Sequence, residues 1–236
     1  MKKLFFTLLL VSFIVFLACE MQKPKDEYLN LIQENKDAGN TEELIKNYRA
    51  LIKFYPDAEK IDNYRQRYID ILFDALKDDQ LEDPTYATEI KTISDSLSND
   101  TTKVWINYRL YSYYKDNNQN DKANELLEPL SQSDYMVIAQ KLLAAQKPEQ
   151  TIEVYKKILD KFPDGKGLDK VNFLIAFTYS ENLKDYENAK PYFQNVFEDY
   201  PESDLADDAE WMMENMEKTP EEISFISETT TEENKQ

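Results

Sequence analysis

Apolar residues recur along the chain at intervals of three and four, and twice the same stripe runs into an aromatic residue followed by proline. In one copy Tyr155, Ile158, Leu159 and Phe162 stand at i, i+3, i+4 and i+7 before Pro163; in the other Phe193, Val196, Phe197 and Tyr200 precede Pro201, 38 residues further on. Positions so spaced form one stripe on a helix. Proline lacks an amide hydrogen and disfavours helix in the residue before it, so both helices stop at the same phase. The phase returns near the start, where Tyr48, Leu51, Ile52 and Tyr55 precede Pro56, 107 residues before Pro163. That gap holds roughly three periods of about 34 to 40 residues, the length of a repeat made from one helix pair, and the pattern predicts an all-α solenoid.

The periodicity predicts helix pairs over 27–37 and 41–55, 58–77 and 84–97, 102–116 and 120–131, 133–146 and 148–161, and 167–182 and 185–199, with a capping helix over 203–217. Gly39-Asn40-Thr41 supplies a turn and cap ahead of Glu42 and Glu43, acidic residues suited to a first turn. Pro129 threatens an early end to the second helix of the third pair, and the second pair lacks a closing proline.

In the last full unit Phe173, Ala176, Ala189, Phe193 and Pro201 stand where a tetratricopeptide repeat carries its aromatic, small and closing residues. Tyr135, Ile138, Ala139, Tyr155 and Pro163 do so in the unit before, with Thr151 in place of the usual alanine. The run from Phe177 to Phe193, followed by Glu198 to Trp211, resembles the tetratricopeptide repeats of bacterial cell-envelope lipoproteins, of the outer-membrane-assembly and cell-division-coordinator types. That resemblance implies a right-handed solenoid of about five helix pairs over 28–217 and a role as an interaction scaffold.

Composition narrows the chemistry. Among 236 residues only Gly39, Gly165 and Gly167 are glycine, which leaves little for tight hairpins or nucleotide-cradling loops. There is no histidine, so histidine triads, histidine bases and the usual zinc-hydrolase ligand sets are excluded. Among 46 acidic side chains some pairs meet by chance, and no spacing singles out a catalytic pair; the chain reads as a non-enzyme with no cofactor and no metal. Asp164 to Leu168 lacks the strand and the lysine-hydroxyl ending of a phosphate loop, and Asp204, Asp207, Asp208 and Glu210 lack the alternating spacing of calcium ligands. A formal charge of −18 opposes nucleic acid and anionic lipid as direct partners.

At the N-terminus Lys2 and Lys3 precede an apolar run from Leu4 to Leu17, so residues 1–18 read as a cleaved export signal, too short to span a bilayer. The one cysteine, Cys19, follows at once, and Phe16-Leu17-Ala18-Cys19 resembles the lipobox of bacterial lipoproteins. The resemblance implies acylation of Cys19 and a place in the cell envelope, on the outer membrane facing the periplasm. Membrane contact would then be lipid-borne, and more than one acyl chain is needed to make it lasting. Residues 19–27 are expected to form a flexible tether and 218–236 an acidic disordered tail.

Stacked helix pairs leave a concave groove lined by the first helix of each pair. The repeat register puts Trp105, Tyr108 and Ser112 there in the third unit, Met136 and Gln140 in the fourth, and Leu174 and Thr178 in the fifth, with Leu110, Tyr111 and Tyr114 turned inward. A tryptophan one turn from a tyrosine is the composition of interface hot spots. Two functions fit: a lipid-anchored scaffold that holds an envelope protein or peptide in this groove, or a lipoprotein that captures a small molecule or glycan for a transporter or wall enzyme. A shallow face with aromatic anchors indicates the first, a closed pocket with converging polar groups the second.

Overall fold

The computed structural model describes residues 22–77, 83, 85–218 and 222; Cys19, the leader, and the tail from 219 apart from Glu222 lie outside them. Among the described residues there is helix and no strand, and the chain divides into two compact units, up to Lys103 and from Val104. The fold class is all-α, built as a succession of helix pairs.

Unit 1 contains α1 (Lys25–Asp37), α2 (Thr41–Phe54), α3 (Ile61–Ala75) and α4 (Thr85–Asp95). α1 begins at Lys25, so the last three residues assigned to the tether are helical. Asp26 and Glu27 lie in its first turn, where acidic groups suit the exposed amides, and the Tyr55 hydroxyl donates to the Lys23 carbonyl at 2.7 Å. α2 packs on α3 through Tyr48 and Tyr68, whose rings stack at 5.8 Å. Glu89 of α4 accepts both nitrogens of the Arg49 fork and, at 2.8 Å, the Tyr68 hydroxyl, so one carboxylate ties three helices.

α5 (Asp100–Asp116) carries the boundary, and unit 2 continues with α6 (Asn120–Leu127), α7 (Gln132–Ala144), α8 (Pro148–Lys161), α9 (Leu168–Phe177), α10 (Tyr186–Asp199) and α11 (Ala206–Asn215). α6 stops at Leu127, four residues short of the predicted end, because Pro129 cannot donate an amide to a further turn. α9 runs into a wider π-turn over Thr178–Leu183, a departure that apolar spacing does not announce. One core cluster joins Val104, Tyr108, Tyr135, Ile138, Tyr155 and Ile175; a second gathers Ala176, Ala189, Phe193, Val196, Ala209 and Met216. The small and aromatic residues that mark the repeat, Ala139, Thr151, Ala176, Ala189, Tyr155 and Phe193, are all buried.

The three aromatic-proline closures share one backbone conformation. Tyr55, Phe162 and Tyr200 have φ/ψ of −131/56, −128/60 and −130/56°, and each donates its amide to the carbonyl four residues back. The ring of the following proline disfavours the α region for these residues, so the helix ends at the same phase three times, though the shared ψ of 56 to 60° falls short of the usual pre-proline range. The turns inside the helix pairs repeat as well: Gly39, Asn118, Gln146 and Lys184 each take a left-handed conformation one residue before the N-cap of the next helix.

A candidate partner-binding face on unit 2

The first helices α5, α7 and α9 carry the residues predicted to line a groove. Trp105 on α5 is half-buried, packs against the unit 2 core, and stacks on Tyr108 at 5.8 Å and 18°. Tyr108 in turn meets Tyr111 at 5.8 Å, so three rings follow one another up the helix at i, i+3 and i+6. The middle ring is not available to a partner: Tyr108 is 7% exposed and belongs to the core cluster. Burial pushes its phenol up to about 12, while a hydrogen bond with Ser112 acts the other way. Ser112 is half-buried beside it.

On α7, Met136 is half-buried against the core and Gln140 is exposed; on α9, Leu174 is half-buried. Thr178 is 1% exposed, and its hydroxyl donates to the Leu174 carbonyl at 2.6 Å. The backbone is still ordinary helix at this residue, and the hydroxyl bonds back on its own helix as threonine does in a regular turn. Tyr108 and Thr178 are therefore corrections to the predicted site. Trp105, Ser112, Met136, Gln140 and Leu174 keep some or all of their surface.

The structure adds lysines that apolar spacing does not reveal. The Lys141 ammonium of α7 lies 6.0 Å from the Trp105 ring, and that of Lys157 on α8 lies 6.0 Å from Tyr111. Tyr111, predicted to turn inward, is half-buried, because α6 is too short to cover it. An open depression of about 440 Å³ results, whose lining includes Tyr111, Asn124, Glu128, Tyr135, Lys157 and Asp160. Two of its ring faces are already occupied: Lys157 sits over Tyr111, and Lys161 sits 5.5 Å from Tyr135 while donating to the Leu127 and Glu128 carbonyls at 3.1 and 2.7 Å. Lys161 thereby satisfies the open end of α6, which accounts for its position structurally.

Lys156 makes a similar bridge. It donates to the Tyr179 hydroxyl at 2.9 Å, and its ammonium lies 5.3 Å from the Tyr179 ring and 5.5 Å from that of Tyr192. The large apolar side chains standing exposed among the described residues are Phe177, which stacks on Phe173 at 6.3 Å, and Trp211 on α11. No group of three or more cysteine or carboxylate side chains among the described residues could hold a metal ion, and no described helix is long and apolar enough to cross a membrane.

A family model of the tetratricopeptide repeat matches residues 171–203, from the second turn of α9 through the π-turn and α10 to just past Pro201. No curated protein matches the chain. Among solved structures it is similar to the crystal structure of MamA protein, with 16% identity over 75% of this chain and 92% of that one and a TM-score of 0.33.

Proposed function

We propose that the chain is a protein-interaction scaffold whose unit 2 receives a partner polypeptide on the face formed by α5, α7 and α9, and that Cys19 carries a lipid anchor holding it to the bacterial envelope. The observation that carries the binding reading is the half-buried Trp105, packed on the core beneath it and left with part of its ring at the surface. An aromatic held by the core, stacked on Tyr108 and reached by the ammonium of exposed Lys141, with part of its surface left to solvent, has the form of an interface anchor. Ser112, Met136, Gln140 and Leu174 surround the same row of first helices with small and adaptable contacts. The tetratricopeptide match over 171–203 supports this reading, because stacked helix pairs expose an extended surface suited to polypeptide.

The test is affinity capture from detergent-solubilised membranes, comparing the parent with Trp105→Ala and Gln140→Ala. Trp105→Ala is expected to weaken capture about thirtyfold, equivalent to roughly 2 kcal/mol. Gln140→Ala is expected to weaken it less, with an unshifted denaturant melt, since that side chain is exposed. Capture unchanged in both variants would move the binding surface elsewhere. A fall in stability of about 3 to 5 kcal/mol for Trp105→Ala would instead make the ring a core element.

The lipid anchor rests on the leader and on Cys19, both outside the described residues, and is tested separately. Cys19→Ala is expected to leave an uncleaved or soluble form. Continued partition of that variant with membranes in detergent extraction would place the attachment somewhere else.

A further inference from the structure

α11 carries the most exposed large apolar side chain among the described residues, Trp211 at 51%. A single exposed apolar residue is ordinary. What sets this one apart is its surroundings. On a helix, residues three and four apart are neighbours, so Asp207, Asp208 and Glu214 flank Trp211 at i−4, i−3 and i+3, and all three are exposed. None of them has an ion-pair partner among the described residues; the pair nearest in sequence joins Glu217 to Lys190. From residue 191 to 217 the sequence contains nine acidic residues and no lysine or arginine. The opposite side of α11 is closed, with Ala209 in the second core cluster and Met212 and Met213 packed against it. The indole therefore stands on a fixed base, among carboxylates, with no cation over its ring among the described residues.

We propose that the Trp211 face of α11 docks a basic polypeptide segment of a partner, with an arginine or lysine side chain laid on the indole among Asp207, Asp208 and Glu214. Charge complementarity selects this occupant. The ring's negative face attracts a cation, and three unpaired carboxylates beside it add to that attraction. A chain of formal charge −18 also steers basic partners toward itself. A second copy is disfavoured, because a symmetric contact would set the same carboxylates against each other. The chain's own residues 219–236 are disfavoured too, since five glutamates there outweigh one lysine. This site is separate from the face of α5, α7 and α9, and its test does not involve Trp105.

The experiment uses the full chain and two fluorescently labelled synthetic peptides, one of alternating arginine and alanine and one of alternating glutamate and alanine, with binding read by anisotropy. The arginine peptide is expected to bind saturably and the glutamate peptide not at all. Trp211→Ala is expected to weaken binding about fivefold at constant salt. The combined Asp207→Asn, Asp208→Asn, Glu214→Gln variant is expected to weaken it further and to flatten its salt dependence. The thermal melt of Trp211→Ala should match the parent, because that side chain is exposed, and the triple variant should stay folded with a melt lowered only slightly, since Asp207 and Asp208 lie in the first turn of α11. Equal binding by the parent and Trp211→Ala would overturn the proposal in favour of diffuse charge attraction. Absence of arginine-peptide binding would overturn it outright. Binding that emerges only when 219–236 is removed would assign the face to the chain's own tail, and concentration-dependent dimerisation lost in Trp211→Ala would assign it to a second copy.

Discussion

Replacing Phe193 with alanine is expected to cost about 3 to 5 kcal/mol of folding stability, the range for emptying a fully buried aromatic site. The ring is 0% exposed and meets Phe173 edge-to-face at 5.5 Å and 74°. Its cluster contains Ala176, Ala189 and Ala209, residues small enough to admit a ring between three helices. Those methyl groups have no rotamers with which to fill the space left behind, so the cavity relaxes poorly and the cost stays high. Phe177, one helix turn from Phe173, stacked on it and 41% exposed, is the control: Phe177→Ala should cost about 1 kcal/mol, well below the Phe193→Ala loss. Urea titration of the two variants beside the parent measures both. Hydrogen exchange should show the Phe193→Ala loss in the amides of α9, α10 and α11, with α1 and α2 retaining their protection, because repeat units contact mainly their neighbours. A loss below about 1 kcal/mol would mean that this cluster does not hold the repeat together.

The second large effect is a one-sided dependence of stability on pH. With no histidine, and with the one cysteine, Cys19, outside the described helices, none of the described side chains is of a type that titrates ordinarily between about pH 6 and 9, and stability should be flat across that interval. Above it the buried phenols dominate. Burial pushes Tyr108 up to about 12 and raises Tyr68 and Tyr155 as well. Neutral phenol is the form the core accepts. Its contribution is complete below the unfolded value near 10 and disappears as pH climbs through the folded value. For Tyr108 alone the linkage amounts to about 2 to 3 kcal/mol, and several such groups act together. Denaturant midpoints should therefore hold from about pH 6 to 9 and fall steeply between about 10 and 12. Tyr108→Phe should soften the alkaline fall in proportion to the group removed. A transition near neutral pH, or an alkaline limb unaffected by this change, would contradict the assignment of Tyr108 to the core.

Tyr108 also shows where a sequence reading of the site fails. Trp105, Tyr108 and Ser112 share one helix face, and spacing alone gives no reason to bury one and expose another. Which side of a broad aromatic stripe is covered depends on the neighbouring helices. Here α6 stops after eight residues and Tyr111 stays half-buried at the edge of the core, while Tyr135 and Tyr155 belong to the cluster that holds Tyr108. Thr178 is lost from the site for a related reason. Its backbone is still ordinary helix, and its hydroxyl folds back on the Leu174 carbonyl while neighbouring helices, which spacing does not record, bury the side chain. The lysines over Trp105 and Tyr111 belong to other helices, so no short-range pattern could pair them with those rings.

What the sequence determined by itself was the local grammar. Period-3.6 stripes specified helices, and aromatic-proline dipeptides ended three of them at Tyr55, Phe162 and Tyr200, because proline disfavours the α region for the adjacent residue wherever the pair occurs. Small residues at Ala139, Ala176 and Ala189 announced close helix contacts for the same reason: only a short side chain fits there. The tertiary structure alone decided how much of each aromatic remained at the surface. Exposure is set by the length and placement of elements distant in sequence, such as the short α6 beside Tyr111 and the core beneath Trp211, and a helix stripe records only which residues lie side by side.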